Sequence, residues 1–312
     1  APGSRPVTFT SLTSTSGRFL IVGPDRRENL DMADWLEDAA EKLQKTLGIK
    51  LTGGDRHGIQ VTLRRQAGDS GGRLPISQYC EAGVVRQEFT IPNVRQLDLE
   101  ELLGVVCRLM LDRHVLGMAM EADGENRAAM THERMPRYGV PHWLWEGASQ
   151  NVSPVLKVRN SPVVLDRFRR GLGPETIGAF LERWRGPGGA GAAPQSPAAR
   201  PAEEDRAVMG LFVGWILSLP DRAARLESLL KRTANGTGIS PEWLATALLD
   251  NGSLAALDES WERWVYRQRR VVSQLGVTTS RAVDNLKLDM LLYAGDSGIP
   301  TEGAPFARLE WR

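Results

Sequence analysis

The sequence has little cysteine, no excess of either charge and no long apolar run. Two cysteines, Cys80 and Cys107, are too few for a disulfide framework, and they can stand either as one disulfide or as two thiols. The 39 basic and 38 acidic residues give a net charge of +1 without a long run of one sign, which argues against nucleic acid binding. The most apolar stretch, residues 207–219, is shorter than the ~20 residues of a membrane span.

What the chain does have is enough apolar material for a core. It contains 312 residues, of which 41% are hydrophobic, and this suits one large domain or two modest ones. The sequence opens at Ala1-Pro2 without a methionine, a basic region or an apolar signal core. We therefore expect the mature form of an exported protein, located in the periplasm or outside the cell, with its signal peptide removed.

The first 92 residues predict a small sheet with a helix across it. Residues 1–16 are rich in Ser, Thr, Gly and Pro and are expected to be a flexible lead-in. The sheet subdomain then covers residues 17–92. Strands are predicted at residues 18–23, 59–63 and 84–91, and apolar residues at three- and four-residue spacing predict a helix over residues 29–47 that ends at Gly48.

After residue 92 the pattern is mostly helical, so the expected fold class is α+β. A long helix over residues 97–118, with Asn93 or Asp98 as N-cap, opens a helical subdomain at residues 93–185. A Gly/Ala/Pro-rich loop is expected at 186–204, a C-terminal helical subdomain at 205–276 and a tail at 277–312. Four further helices are predicted, at residues 205–219, 221–231, 241–249 and 254–275.

The most specific string in the chain is Pro141-His142-Trp143-Leu144-Trp145-Glu146-Gly147-Ala148-Ser149. It resembles the segment P-x-W-[LI]-x-E-G-x-A of the peptidase-MA-like gluzincins, the zinc metallopeptidases related to thermolysin, with Ser149 in place of the final Ala. The resemblance implies a gluzincin-like fold over roughly residues 17–270. It also implies that Glu146 occupies the position of the third zinc ligand, on a helix that faces the H-E-x-x-H helix.

The H-E-x-x-H motif itself is missing from the helix that should carry it. When the aliphatic run of residues 102–111 is aligned with the family's helix, Cys107 replaces the first histidine, Arg108 the base glutamate and Leu111 the second histidine. One thiolate and Glu146 leave zinc short of ligands, and a permanent guanidinium opposes a cation and cannot accept a proton. The resemblance therefore indicates a degenerate member without catalytic residues or a cofactor. An ion pair between Arg108 and Glu146 is expected to take the place of the metal.

The function predicted on this basis is that of an inactive, peptidase-like binding or assembly component of the cell envelope or exterior, with a protein or peptide partner. His142, Trp143 and Trp145 are the candidate binding residues, because aromatic rings beside the former site can stack on a ligand. The alternative is an active zinc peptidase with non-standard ligands, for which His114, His142 and Glu146 are the fallback set. His132-Glu133-Arg134-Met135-Pro136 is interpreted as a polar loop, since Pro136 cannot bind a metal.

Overall fold

The computed structural model describes residues 9–51, 58–65, 74–81, 84–122, 138–156, 163, 174–184, 202–250 and 252–274. His57, His132 and the predicted tail at 277–312 lie outside these ranges, as does the predicted loop at 186–204 except for its last three residues.

A five-stranded mixed sheet opens the fold. Its strands are β1 (Thr10–Thr13), β2 (Phe19–Gly23), β3 (Ile59–Leu63), β4 (Ile76–Glu81) and β5 (Val84–Ile91). The order across the sheet is β1-β2-β3-β5-β4, with β2, β3 and β5 parallel and the two edge strands antiparallel to their neighbours. The buried residues alternate along β2, β3 and β5, so one face of the sheet packs on the core.

Helix α1 (Arg26–Leu47) crosses from β2 to β3 and packs on β2. Its N-cap is Asp25, whose carboxylate accepts hydrogen bonds from the backbone N–H groups of Arg27 and Glu28. It ends at Gly48, which has a φ of 72° and so adopts the left-handed conformation that glycine tolerates best. The sequence predicted this end correctly, and the predicted start at residue 29 is three residues late.

The helical part begins with α2 (Leu99–Ala122), which follows a short 3-10 turn at Val94–Gln96. Both proposed caps are used. Asn93 caps the 3-10 turn, and Asp98 accepts hydrogen bonds from the N–H groups of Glu100 and Glu101 at the start of α2. The further helices are α3 (His142–Val152), α4 (Ile177–Arg183), α5 (Glu203–Ser218), α6 (Arg222–Ala234), α7 (Pro241–Leu249) and α8 (Leu254–Gln274).

The α+β fold class is confirmed, and two details of the predicted organisation are wrong. Residues 10–13 belong to the sheet as edge strand β1 and are not part of a flexible lead-in, because their backbone pairs with β2. The predicted loop at 186–204 extends too far, since α5 starts at Glu203. Strand β4 and helix α4 were not predicted at all. Within the described residues, no helix combines the length and the apolar character that crossing a bilayer requires.

Candidate functional site

The candidate site lies where α2 and α3 pack against each other, with α5 behind α3. Helix α3 begins directly after Pro141 and carries the string that the sequence singled out. Gly147 of α3 permits close packing against α5, because a Cβ added there would lie 2.4 Å from the Met209 carbonyl oxygen. The Glu146 carboxylate faces α2, because a Cβ on Gly104 would lie 4.0 Å from Glu146 Oε2.

Glu146 is buried, with 7% of its surface exposed, and its carboxylate is held by groups on its own helix. The Gln150 side-chain amide, one turn further on, donates a hydrogen bond from Nε2 to Glu146 Oε1 at 3.0 Å. One turn earlier, His142 Nε2 lies 4.0 Å from Glu146 Oε2. The i, i+4 spacing therefore places an amide and an imidazole on either side of this carboxylate.

Gln150 also connects Glu146 to a second carboxylate, which is largely buried. Its Nε2 lies 3.3 Å from Glu100 Oε1 on α2, and Glu100 forms an ion pair with Arg206 of α5. Only 10% of the Arg206 side chain and 13% of the Glu100 side chain are exposed. We call Glu146, Gln150, Glu100 and Arg206 the buried polar chain. It joins three helices and brings a guanidinium into the region of the two carboxylates.

The expected ion pair between Arg108 and Glu146 is wrong. Among the described residues, Arg108 instead contacts Asp112 one turn along α2, with 3.6 Å between Nε and Oδ2. Its guanidinium carbon lies 5.9 Å from the ring centroid of Trp145. The Arg108 side chain is 44% exposed and therefore extends from the contact of α2 and α3 to the protein surface. Arg206, which comes from a helix about 100 residues later, is the guanidinium of the buried polar chain.

Asp112 is buried beneath Arg108. Its Oδ1 accepts a hydrogen bond of 2.8 Å from the Val140 backbone N–H, which ties α2 to the segment leading into α3. Burial raises the pKa of Asp112, and the Arg108 cation and the Val140 hydrogen bond offset that effect in part. Asp112 thus fixes the approach to α3 at the cost of burying a carboxylate.

The other two positions that the resemblance aligns with the H-E-x-x-H motif are part of the core. Cys107 and Leu111 are 0% and 1% exposed. Burial raises the pKa of the Cys107 thiol, and the negative charge of Glu146 raises it further, so the thiol stays protonated at neutral pH. Cys107 and Cys80 are not joined in a disulfide.

These residues do not fit a catalytic zinc ion. A protonated thiol is a poor ligand, leucine has no donor atom, and a guanidinium repels a divalent cation. Within the described residues, no three His, Cys, Asp or Glu side chains are grouped so that they could hold a metal. Of the fallback set His114, His142 and Glu146, the structure brings two members together, with His142 Nε2 4.0 Å from Glu146 Oε2.

The candidate binding residues separate into two groups. Trp143 is 1% exposed and packs edge-on against Phe180 and Phe212, at centroid distances of 6.2 and 5.2 Å, so its ring is part of the core. His142 and Trp145 are half-buried, and their rings stack with centroids 4.5 Å apart and planes 18° apart. The edge of Trp184, which ends α4, meets His142 at 5.7 Å.

Some of the site residues that the sequence analysis did not predict could have been found from their helical spacing. Gln150 and Asp112 each lie four residues after a residue that had been singled out, which is the spacing of neighbours on a helix. Glu100 and Arg206 gave no such signal, because 106 residues separate them along the chain. Comparison with family models, with curated proteins and with solved structures finds no match to this chain. The gluzincin resemblance therefore depends on the residues quoted above.

Proposed function

We propose that this chain is a non-catalytic, peptidase-like protein that acts by binding a protein or peptide partner. One observation carries the proposal. At the contact of α2 and α3, the positions that the gluzincin resemblance assigns to two imidazole ligands hold a fully buried thiol and a fully buried leucine. A small rotation of either side chain would not supply a zinc ligand, because both residues are packed in the core.

The surroundings of Glu146 support the same proposal. In a working site of this kind, the carboxylate of the third ligand is balanced by zinc. Here the Glu146 carboxylate accepts a hydrogen bond from the Gln150 amide, and the adjoining Glu100 carboxylate is paired with Arg206. A buried carboxylate is stable only with such partners. The helix pair is thus stabilised by protein groups where the resemblance places a metal ion.

The test is a metal and cleavage assay on the full chain. Protein purified without chelator is analysed for zinc by mass spectrometry and assayed with a mixture of fluorogenic peptides. Wild type, Glu146→Gln and the exposed control Glu259→Gln are compared, since Glu259 lies on α8 and is 65% exposed. We expect less than about one zinc per ten chains and no cleavage from any of the three.

Stoichiometric zinc that is lost in Glu146→Gln and kept in Glu259→Gln, together with peptide cleavage, would overturn the proposal and favour an active zinc peptidase with non-standard ligands. Export to the periplasm or the cell exterior stays a prediction. It is checked separately, by fractionation of cells that produce the protein from its full gene.

A further inference from the structure

Five side chains form a continuous row beside the candidate site. The Arg108 guanidinium lies over Trp145, Trp145 stacks on His142, His142 meets the edge of Trp184, and the Arg183 guanidinium lies 5.8 Å from the centroid of Trp184. We call these five residues the ring row. It joins α2, α3 and the end of α4, and each member is at least partly exposed.

Arg108 and Arg183 differ in how many carboxylates their guanidinium groups contact. Arg183 forms ion pairs with both Glu175 and Asp205, so two carboxylates already compensate its charge. Within the described part of the chain, Arg108 contacts only Asp112, through Nε at 3.6 Å, and the Trp145 ring. Neither of its two Nη nitrogens donates a hydrogen bond to a described residue.

These two contacts orient the Arg108 guanidinium. The Trp145 ring attracts the cation through its negative face, and Asp112 holds Nε from below. A guanidinium that is already ordered loses less conformational entropy when it binds a ligand. Because Asp112 is buried and the Arg108 side chain is 44% exposed, the outward side of this pair is positive.

We propose that the Arg108 guanidinium, held on Trp145, binds a carboxylate of an acidic peptide. This inference rests on the proposed function as a binding protein and names the class of its partner. A carboxylate matches two guanidinium nitrogens with two parallel hydrogen bonds, and charge-assisted bonds of this kind are stronger than neutral ones. The match of charge and shape selects acidic peptides over neutral ones.

Sugars and nucleotide bases fit this surface less well. They bind mainly by stacking on an open aromatic face, and the contacts of the Trp145 ring are taken by His142 and Arg108. The edge of Trp184 meets His142, and the Arg183 guanidinium lies over the Trp184 ring. What the ring row leaves accessible is the charged end of Arg108 with apolar ring edges beside it, which suits an acidic side chain or a terminal carboxylate followed by peptide backbone.

The experiment measures peptide binding to the full chain by fluorescence anisotropy at low salt. The probes are a fluorescein-labelled hexapeptide of alternating Glu and Ala, and its partner with Gln in place of every Glu. The proteins are wild type, Arg108→Gln, Arg108→Lys and the control Arg263→Gln, since Arg263 is 62% exposed on α8 and also pairs with a carboxylate one helical turn away, that of Glu259. Circular dichroism and the unfolding midpoint show whether each variant is folded.

We expect the acidic peptide to bind wild type at least about tenfold more tightly than the Gln peptide, and Arg108→Gln to lose at least about tenfold in affinity. Arg108→Lys should lie between the two, because it keeps the charge and loses the paired geometry. Arg263→Gln should bind as wild type does. Equal binding of both peptides, or unchanged binding by a folded Arg108→Gln, would contradict the inference. The inference would also be contradicted if inorganic phosphate displaced the peptide at the same concentration as N-acetylglutamate does.

The two proposals fail on different readouts. Peptide binding that ignores charge and Arg108 would refute the acidic partner and leave the binding function standing. Zinc-dependent cleavage refutes the non-catalytic function whatever the peptide preference. If the wild-type protein binds neither peptide, the acidic partner is refuted directly.

Discussion

Gly147 of α3 lies so close to Met209 of α5 that a Cβ at position 147 would come within 2.4 Å of the Met209 carbonyl oxygen. The same Cβ would lie 2.4 Å from a methyl group of Val213. Since one of the two obstacles is backbone, relief requires the helices to move apart. Glu146, the residue before Gly147, faces α2 on another side of the same helix.

Gly147→Ala is therefore expected to destabilise the fold by about 2 kcal/mol or more, as overpacked core substitutions do. Urea unfolding followed by tryptophan fluorescence measures the loss. Gly178→Ala is the matched control, because a Cβ at that helical position meets no atom within 4 Å. The control should be neutral or slightly stabilising, since alanine favours helix over glycine. Equal stability of the two variants would show that α3 and α5 are not held at this distance.

Arg206→Met should cost about 3 kcal/mol, because it leaves the Glu100 carboxylate buried without its guanidinium partner. Adding Glu100→Gln should recover part of the loss, so the double variant is more stable than the sum of the single changes predicts. The free energy of unfolding in urea is measured for the four proteins of the cycle. Arg263→Met, which removes an exposed pair, is expected to stay within about 0.5 kcal/mol of wild type. If the two changes in the free energy of unfolding simply add, Arg206 and Glu100 are not energetically coupled.

Cys107 should be unreactive in the folded protein. Its thiol is fully buried with a raised pKa, whereas Cys80 is half-buried on edge strand β4. A thiol reagent at pH about 8 should modify one cysteine in the native state and two in denaturant. A Cys80→Ser variant identifies which one reacts, and rapid native labelling of that variant would contradict the buried position of Cys107.

The same pKa shift has a consequence at alkaline pH. The pKa of Cys107 is higher in the folded than in the unfolded chain, so its contribution to stability is complete below the unfolded value of about 8.5 and is lost as the pH rises above it. Wild type should lose stability relative to Cys107→Ala by up to about 1.4 kcal/mol per pH unit above that value. Parallel curves for the two proteins would exclude the raised pKa.

Asp112→Asn tests the carboxylate beneath Arg108. Burial raises the folded-state pKa of Asp112 above its unfolded value near 3.9, so the wild-type side chain contributes most below that pH and loses this contribution as the pH rises through the folded value. Asparagine keeps an acceptor for the Val140 N–H and does not titrate. The stability of Asp112→Asn relative to wild type should therefore improve from pH 3 toward neutrality, measured by urea unfolding.

Asp112→Ala is the companion change. It removes the acceptor and leaves the buried Val140 N–H without its hydrogen bond, so we expect a loss of about 1–3 kcal/mol at neutral pH. If Asp112→Asn and Asp112→Ala behave alike, the hydrogen bond to Val140 has no measurable part in holding the approach to α3.

The sequence by itself determined most of the helices and strands. Periodic apolar residues predicted α1, α2 and the late helices, and alternation predicted β2, β3 and β5, because these patterns depend on neighbours a few residues apart. Strand β4, with a weaker pattern at the sheet edge, and the seven-residue α4 escaped prediction. The string around Glu146 located the candidate site and the helix that faces it.

Only the tertiary structure decided which charges meet. The sequence placed Arg108 on the helix facing Glu146, yet the guanidinium lies over Trp145 and contacts Asp112, while Arg206 arrives from α5 to pair with Glu100. It also decided that Trp143 is core and that Trp145 reaches the surface, although only one residue separates them. The physical reason is that a long side chain chooses its partner from all helices packed around it. That set depends on how far-separated segments come together, which helical periodicity does not encode.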